Sequence, residues 1–267
     1  MKNIVDIGIK AAREAGEYLS KNSGKEKNVS IKSDKSLVTD FDSQAEKIIV
    51  DIIRSEFPTH SIMAEEGNNT SFSNDYLWII DPIDGTHNFI RSIPLYGVSI
   101  GVVHQNKFVA GIIYMPTDNE LYFSEKGNGA FKNDTPIKVS NKTEINECTL
   151  SFDSCLRKNS ELKTDVLKTL AMKVFNIRMF GASTTLLTYL AEGKIDISVE
   201  FDDKPWDFAA GASLVTEAGG RITDFDGNDA TYKTKGYICS NGCIHNDVMR
   251  ILHPIRISNS LKKRYES

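Results

Sequence analysis

The sequence predicts an α+β first half followed by an α/β second half, and the order of its elements carries this prediction. In residues 1–143, two helices are followed by a run of strands joined by short turns, which is typical of an α+β unit. In residues 144–267, strands and helices alternate, which is typical of an α/β unit with a mixed sheet. A chain of 267 residues can bury a substantial core in one large domain or two smaller ones. We therefore expect two halves that meet near residue 143.

Two amphipathic helices are expected near the N-terminus. Apolar residues recur every three or four positions over residues 4–19 and again over residues 41–57, as on one face of a helix. Thr39 or Asp40 can cap the second helix. Asp42 lies in its first turn, where the helix dipole favours an exposed carboxylate by about 0.3–1 kcal/mol. This residue therefore has a structural role available as well as a chemical one.

The remaining strands and helices follow from short apolar runs separated by turn residues. In the first half, strands are predicted at 61–63, 77–80, 98–104, 108–114, 120–124 and 130–132. The last four form two antiparallel hairpins, and a further turn is expected at 133–136. In the second half, strands are predicted at 149–153, 176–180, 195–201, 220–224 and 237–240. Helices are predicted at 160–175, 183–191, 206–218 and 244–252.

The bulk composition is that of an ordinary soluble globular protein, with 40% hydrophobic and 25% charged residues. A formal net charge of −4 gives no support for bulk affinity to nucleic acid. The N-terminus lacks the apolar core of a signal peptide, and no apolar run approaches membrane-spanning length. We expect a cytoplasmic protein with no membrane or nucleic-acid partner. The basic residues 262–264 are interpreted as part of a solvated, frayed end.

Residues 77–89 are the most informative stretch. An apolar run suits a buried strand, and we expect it to break at Pro82, because proline has no N–H for a strand ladder. Asp81 and Asp84 bracket this break. Charge is costly there unless a cation neutralises it, and hard oxygen ligands suit Mg²⁺. In the structural alternative, an aspartate caps a helix and a glycine supplies a positive φ. The spacing alone leaves both interpretations open.

Two further stretches favour the metal site. Glu65 and Glu66 follow a short strand, and Asp207 follows a tryptophan at the start of a buried helix. Together with Asp-Pro-Ile-Asp-Gly-Thr at 81–86, these motifs resemble the signatures of the inositol monophosphatase family over about residues 5–252. That family belongs to a superfamily with fructose-1,6-bisphosphatases and phosphoadenosine phosphate phosphatases. The resemblance implies the sugar-phosphatase fold, a layered α-β-α-β-α sandwich, and usually a homodimer.

The resemblance also implies a magnesium site with a defined ligand set. Glu65 and Asp81 would bind a first Mg²⁺, helped by the backbone carbonyl of Ile83. Asp84 and Asp207 would bind a second ion, which Asp81 bridges. A weaker third ion, touched by Glu65 through water, is also implied. Independently of the family, crowded carboxylates raise one another's pKa values unless cations neutralise them. Two such ions about 3.5–4 Å apart can clamp both oxygens of an in-line displacement.

The same resemblance assigns the attacking water to two residues. The hydroxyl of Thr86 would pair with an acid of the second helix, here Asp42, to position or deprotonate that water. General-base catalysis contributes about 10²–10⁴ in rate. Hydrolysis of a phosphate monoester requires far more than this, so the metals must carry most of the acceleration. A phosphate oxygen is expected to meet backbone N–H groups at Gly85 and Thr86, since helix N-termini favour anions. The chain departs from the family at Ser36, where an aspartate is usual, which leaves the third ion open.

Substrate contacts are implied at two further places. Gly181, Ala182 and Ser183 would meet the substrate's hydroxyls at a strand-to-helix turn, and Glu200 would accept hydrogen bonds from a ring diol. The structural alternatives are a helix cap for the first group and an exposed strand-end acid for Glu200.

These patterns predict a Mg²⁺-dependent phosphatase acting on a small polyol or sugar phosphate monoester, with inhibition by lithium implied by the resemblance. Inositol 1-phosphate is the leading substrate. Fructose 1,6-bisphosphate, histidinol phosphate and 3′-phosphoadenosine 5′-phosphate stay open on the same scaffold. The alternative from another class is a non-catalytic regulatory or binding protein. Its signature would be a missing ligand acid, and none is missing here.

Overall fold

The computed structural model describes residues 3–32, 37–70, 76–255 and 257. In these ranges the helices are α1 (Ile4–Asn22), α2 (Asp40–Glu56), α3 (Thr86–Ile90), α4 (Ser160–Ala171), α5 (Ser183–Ala191), α6 (Pro205–Glu217) and α7 (His245–Leu252). The strands before residue 140 are β1 (Val29–Ile31), β2 (Leu37–Thr39), β3 (Ser61–Ala64), β4 (Tyr76–Asp84), β5 (Gly97–His104), β6 (Lys107–Met115), β7 (Glu120–Glu125), β8 (Gly129–Lys132) and β9 (Thr135–Ile137). Those after it are β10 (Thr149–Phe152), β11 (Asn176–Arg178), β12 (Ile197–Glu200), β13 (Arg221–Thr223) and β14 (Tyr237–Ser240).

The strands form two large sheets and one small pair. Strands β3 to β9 lie side by side in chain order, with β3 parallel to β4 and every later pair antiparallel. The second sheet has the order β11-β10-β12-β14-β13, in which β10 is parallel to both of its neighbours and the other pairs are antiparallel. Strands β1 and β2 pair only with each other. The predicted antiparallel first half and mixed second sheet are confirmed.

Five layers result from the way the apolar faces are covered. Helices α1 and α2 pack on one face of the seven-stranded sheet, and α5 and α6 fill the space between the sheets. Helices α4 and α7 cover the far face of the five-stranded sheet. Ile112 and Ile113, consecutive in β6, lie in different core clusters because strand side chains alternate between faces. The layered α-β-α-β-α sandwich is confirmed.

The predicted break at Pro82 is wrong, because β4 continues to Asp84. Pairing with β5 changes register between Asp81 and Asp84, so the strand bulges there instead of ending. Pairing with β3 stops at Ile80, which leaves one side of β4 free of a ladder at the proline. The bulge places Asp81 and Asp84 together at the end of β4.

Smaller differences lie at element ends. The predicted helix 160–175 ends at Ala171, and the turn predicted at 133–136 contains the start of β9. Pro136 is compatible with β9 because this strand is at the edge of its sheet. Among the described helices, none is long and apolar enough to cross a bilayer. Residues 262–264 lie outside the described part of the chain, and the division near residue 143 stays a prediction.

Two paired glycines let α6 lie directly on the seven-stranded sheet. Gly101 of β5 and Gly111 of β6 are opposite each other in the ladder. A Cβ at Gly101 would lie 2.6 Å from the Cβ of Ala209, and one at Gly111 would fall on the carbonyl oxygen of Ala210. Because neither glycine has a side chain, the backbone of the helix approaches that of the sheet.

We expect Gly111→Ala to destabilise the protein by about 1–3 kcal/mol, because the new methyl group forces α6 away from the sheet. Gly24→Ala is the matched control, since nothing lies within 4 Å of the position its Cβ would take. Urea unfolding followed by circular dichroism measures both variants. Equal midpoints for Gly111→Ala and the wild type would show that the close approach of α6 is not required.

Candidate active site

Three carboxylates from distant parts of the chain meet at the end of β4. Asp81, Asp84 and Asp207 each offer one oxygen, and these oxygens lie within 4.8 Å of one another. The first two lie in the bulged end of β4, and Asp207 lies in the first turn of α6. The glycine contact that seats α6 on the sheet therefore also brings Asp207 to the other two acids.

Each of these acids has one oxygen held by a nearby donor. Thr184 donates from its backbone N–H and its hydroxyl to Asp84 Oδ2, both at 2.5 Å. The backbone N–H of Lys204 donates to Asp207 Oδ2 at 2.6 Å, and that of Ile83 donates to Asp81 Oδ1 at 3.0 Å. These bonds fix the orientation of the carboxylates before any ligand arrives.

The cluster is electrostatically unfavourable as it stands. Burial, followed by the neighbouring carboxylates of Glu65, Asp84 and Asp207, raises the pKa of Asp81 well above its usual value. Burial raises the pKa of Asp84 to about 6, although the hydrogen bonds from Thr184 lower it. Burial and nearby acids also raise the pKa of Asp207. A divalent cation would relieve this repulsion, and hard carboxylate oxygens suit Mg²⁺, so the residues present fit a magnesium site.

Glu65 lies at the edge of this cluster. It follows β3, and its backbone N–H donates to the carbonyl of Ile80 at 3.2 Å. Its carboxylate is near enough to Asp81 to raise the pKa of that residue. Lys32 Nζ lies 2.9 Å from Glu65 Oε1 and 2.6 Å from Glu66 Oε1. Glu65 therefore lies beside the three aspartates and forms an ion pair with Lys32. A metal ion that binds Glu65 would compete with this ammonium group.

Asp42 lies at the start of α2, between Thr39 and Thr86. Its Oδ2 accepts hydrogen bonds from the backbone N–H and the hydroxyl of Thr39, at 2.7 and 2.5 Å, which completes the N-terminal capping box of α2. Its Oδ1 lies 3.2 Å from Thr86 Oγ1. Burial raises the pKa of Asp42 to about 6, although hydrogen bonds from Thr39 lower it. The same carboxylate therefore caps a helix and faces Thr86.

The hydroxyl of Thr86 has two acceptors within reach. Besides Asp42 Oδ1, the carbonyl oxygen of Ile83 lies 2.9 Å away. A hydroxyl carries a single proton, so it donates to one acceptor at a time and keeps lone pairs for another donor. The carbonyl of Ile83 therefore accepts from Thr86, and its expected role as a metal ligand stays a prediction.

A pocket of about 310 Å³ opens beside the aspartates. All of the predicted substrate residues after 180 line it, namely Gly181, Ala182, Ser183 and Glu200. Gly181 has φ +71°, which favours glycine, and the hydroxyl of Ser183 donates to Asp203 at 3.1 Å instead of capping α5. Glu200 is only 5% exposed, so the alternative of an exposed strand-end acid is wrong.

Gly85 joins the β4 end to this pocket. Its φ is +87°, and a Cβ there would lie 2.9 Å from both the Cβ of Ala182 and the carbonyl oxygen of Leu95. Any larger residue would separate Thr86 from the turn that carries Gly181. Ser36, where the chain departs from the family pattern, lies outside the described residues.

Sequence reasoning missed four residues of the site. Thr184 holds Asp84, while Asp153 and Asp203 line the pocket with Glu200. Lys163 is fully buried and lies 2.6 Å from Asp153. The proximity of Lys163 to Asp153 depends on helix packing, which no local pattern predicts. A lysine in the otherwise apolar stripe of α4 is the one signal that the sequence offered.

The fold and the site together define a class of protein: a layered α/β chain in which a buried carboxylate cluster suited to divalent cations lies beside an acid-lined pocket. Residues 1–257 match the inositol monophosphatase family. The chain belongs to this family, whose members include phosphatases.

Known relatives extend over nearly the whole chain. A fructose-1,6-bisphosphatase/inositol-1-monophosphatase of Thermotoga maritima is 36% identical over 252 residues, covering 94% of this chain and 96% of that protein. A putative Nus factor SuhB of Neisseria meningitidis serogroup B is 33% identical over 257 residues, covering 94% and 98%. Family membership therefore implies a phosphatase. The relatives themselves are named either as phosphatases or as Nus factors.

Solved structures show the same fold. The extragenic suppressor protein SuhB of Bartonella henselae has a TM-score of 0.89 and 33% identity, covering 93% of this chain and 98% of that one. An IMPase/NADP phosphatase solved with Mg²⁺ and phosphate has a TM-score of 0.79 and 25% identity, covering 90% and 91%.

We expect the stabilisation of this protein by Mg²⁺ to grow as pH rises from about 5 to 7. The pKa of Asp84 in the folded protein is raised to about 6 from a usual 3.8, so its proton stabilises the fold below pH 3.8. That contribution is lost as pH rises through about 6. The ion binds the ionised carboxylates, so the rise in Tm on adding Mg²⁺ should increase over this interval.

Calorimetry with EDTA or with Mg²⁺ across this pH range measures that rise in Tm. Asp84→Asn should reduce it at every pH, whereas Asp51→Asn, on the exposed side of α2, should leave it unchanged. A magnesium effect that is independent of pH would contradict the assignment of the cluster to a cation.

Proposed function

We propose that this protein is a Mg²⁺-dependent phosphatase that hydrolyses the phosphate monoester of a small polyol or sugar, with inositol 1-phosphate as the leading substrate. The observation that carries the proposal is the meeting of Asp81, Asp84 and Asp207 within 4.8 Å beside a pocket of about 310 Å³. The family match and the Thermotoga maritima relative support the same activity. The related phosphatase solved with Mg²⁺ and phosphate supports the choice of metal.

The proposed ligands are Asp81, Asp84 and Asp207, with Glu65 and the carbonyl of Ile83 on the side of Asp81. Magnesium bound there would supply charge stabilisation for the phosphoryl group and a more acidic water. The number of ions, two or three, belongs to the proposal. Lithium inhibition by competition for such a position belongs to it as well.

The chain's own residues position the water and the substrate. Thr86 would accept a hydrogen bond from the attacking water and pass its own hydroxyl proton toward Asp42. Water attacks phosphorus and the ester P–O bond breaks. The leaving alkoxide takes a proton from solvent water, and Asp42 returns the proton it received to solvent, so the products are the alcohol and inorganic phosphate. Gly85 and Thr86 would meet the phosphate. The turn at Gly181, Ala182 and Ser183, together with Glu200, would meet the alcohol part.

Asp84→Asn should lower kcat/KM by about 10³-fold or more, since a lost metal ligand removes several kcal/mol of transition-state stabilisation. The asparagine can still accept the hydrogen bonds from Thr184, so the fold is retained. Phosphate release with Mg²⁺ is measured on inositol 1-phosphate, fructose 1,6-bisphosphate, histidinol phosphate and 3′-phosphoadenosine 5′-phosphate. Near-normal turnover by this variant would refute the proposed metal site.

Asp42→Asn should lower kcat by about 10²–10⁴-fold with little change in KM, because the proton acceptor is lost while the capping oxygen remains. Asp40→Asn is the matched control: it removes an exposed charge from the same helical turn and should leave kcat unchanged. If both variants kept wild-type kcat, Asp42 would be a structural cap only.

A second candidate is a regulatory or binding role, which the Nus factor relative of Neisseria meningitidis favours. It keeps the fold and acts through a partner. A purified protein that binds Mg²⁺ but cleaves none of the four substrates would favour this role over the phosphatase. A homodimer is also proposed, and sedimentation of the full chain tests it.

A further inference from the structure

The pocket beside the aspartate cluster carries more negative charge than the proposed metal ligands account for. Five carboxylates line it, and none of its described lining residues is a lysine, an arginine or a histidine. Asp84 and Asp207 belong to the metal cluster. The other three carboxylates are those of Asp153, Glu200 and Asp203.

One of these three is neutralised by the protein itself. Lys163 Nζ lies 2.6 Å from Asp153 Oδ2 and 3.0 Å from Asp202 Oδ2, and it donates to the carbonyl of Cys155 at 2.9 Å. Lys163 is fully buried, so this charge is committed to Asp153 and Asp202. Its charge also favours the ionised form of Glu200, but Lys163 forms no ion pair with Glu200 or Asp203 among the described residues.

Glu200 and Asp203 have no basic partner at ion-pair distance among the described residues. Glu200 is 5% exposed and accepts one hydrogen bond, at 3.4 Å from Ser198 to Oε1, which leaves Oε2 without a described donor. Asp203 accepts at Oδ2 from Ser183 and Tyr237, at 3.1 and 3.0 Å, which leaves Oδ1 without one. Glu200 Oε2 and Asp203 Oδ1 therefore lack hydrogen-bond donors among the described residues, and both side chains line the pocket.

The electrostatics of the pocket agree with this geometry. Burial, and then the charge of Asp153, raises the pKa of Asp203 to about 7. Burial, and then the charge of Asp203, raises the pKa of Glu200 well above its usual value. Burying charged carboxylates without compensation is costly, so a ligand that brings positive charge is favoured over a neutral one.

We propose that the substrate of this protein carries an ammonium group that Glu200 and Asp203 bind, which makes it the phosphate monoester of an amino alcohol or amino sugar. A hydroxyl brings one donor and no charge, whereas an ammonium brings three donors and a full charge. Asp203 also borders a second cavity that Lys204 and Lys233 line, but neither lysine forms an ion pair with Asp203 among the described residues. The inference rests on the proposed phosphatase function and changes its leading substrate: an ammonium-bearing monoester is favoured over inositol 1-phosphate, which has no amino group.

Two matched substrate pairs test the proposal. 2-Aminoethyl phosphate and 2-hydroxyethyl phosphate differ only in the ammonium group, as do glucosamine 6-phosphate and glucose 6-phosphate. The pairs differ in the distance from phosphate to ammonium, so they sample two spacings. We expect kcat/KM with Mg²⁺ to favour the amino member of at least one pair by about 10–100-fold, the range of a charged hydrogen bond. No preference in either pair would overturn the proposal.

Variants that each remove one carboxylate charge show which residue causes the preference for the amino substrate. Asp203→Asn keeps an oxygen for Ser183 and Tyr237 while removing the charge, and Glu200→Gln does the same at its position. Each should lower kcat/KM for the amino substrate by a factor at least about tenfold larger than the factor by which it lowers kcat/KM for the hydroxyl substrate. Asp118→Asn, in the exposed turn between β6 and β7, should change neither. Equal losses on both members of a pair would mean a structural role and would overturn the assignment.

A binding measurement separates this inference from the phosphatase proposal. If the wild type cleaves no monoester at all, the phosphatase proposal fails. Calorimetric titration of the same pairs in Mg²⁺ then decides the ammonium site alone. Tighter binding of the amino member, lost in Asp203→Asn, supports the site, and equal binding overturns it.

Discussion

The structure depends on holding like charges together where water is largely excluded. Asp81, Asp84 and Asp207 are brought within reach of one ion by a strand bulge and a helix start, and in the described part of the chain no lysine or arginine forms an ion pair with them. Such an arrangement is costly unless a ligand compensates it. The seven-stranded sheet, the glycine pair beneath α6 and the donors on each carboxylate all serve to maintain this geometry.

The hydrogen-bond donors on the three aspartates fix the directions in which their free oxygens point. In each aspartate, one oxygen is occupied by a backbone or hydroxyl hydrogen bond, and the rotamer is thereby fixed. Asp42 follows the same pattern, with Thr39 on one oxygen and Thr86 near the other. A ligand that arrives at this cluster meets carboxylates that are already oriented, so less conformational entropy is lost on binding.

Much of this architecture could be predicted from local signals, because they are carried by neighbouring residues. The acids of the hexapeptide at 81–86, the helix cap at Thr39 and the strand alternation all lie within short windows. The bulge at Pro82 could not be predicted, since it depends on where β3 stops pairing with β4. The position of Asp203 at the pocket could not be predicted either, because its hydrogen-bond donors Tyr237 and Ser183 are remote in sequence.

The position of Asp207 on α6 also has a consequence for how the chain folds. This residue reaches Asp81 only after the helix has docked on a sheet that was completed many residues earlier in the chain. Closing so long a loop is slow, and the ion has little to hold until it is closed. At the proposed Mg²⁺ site, metal content would therefore be a late marker of maturation: nascent or misassembled chains would stay metal-poor, and capture of the ion would hold α6 on the sheet.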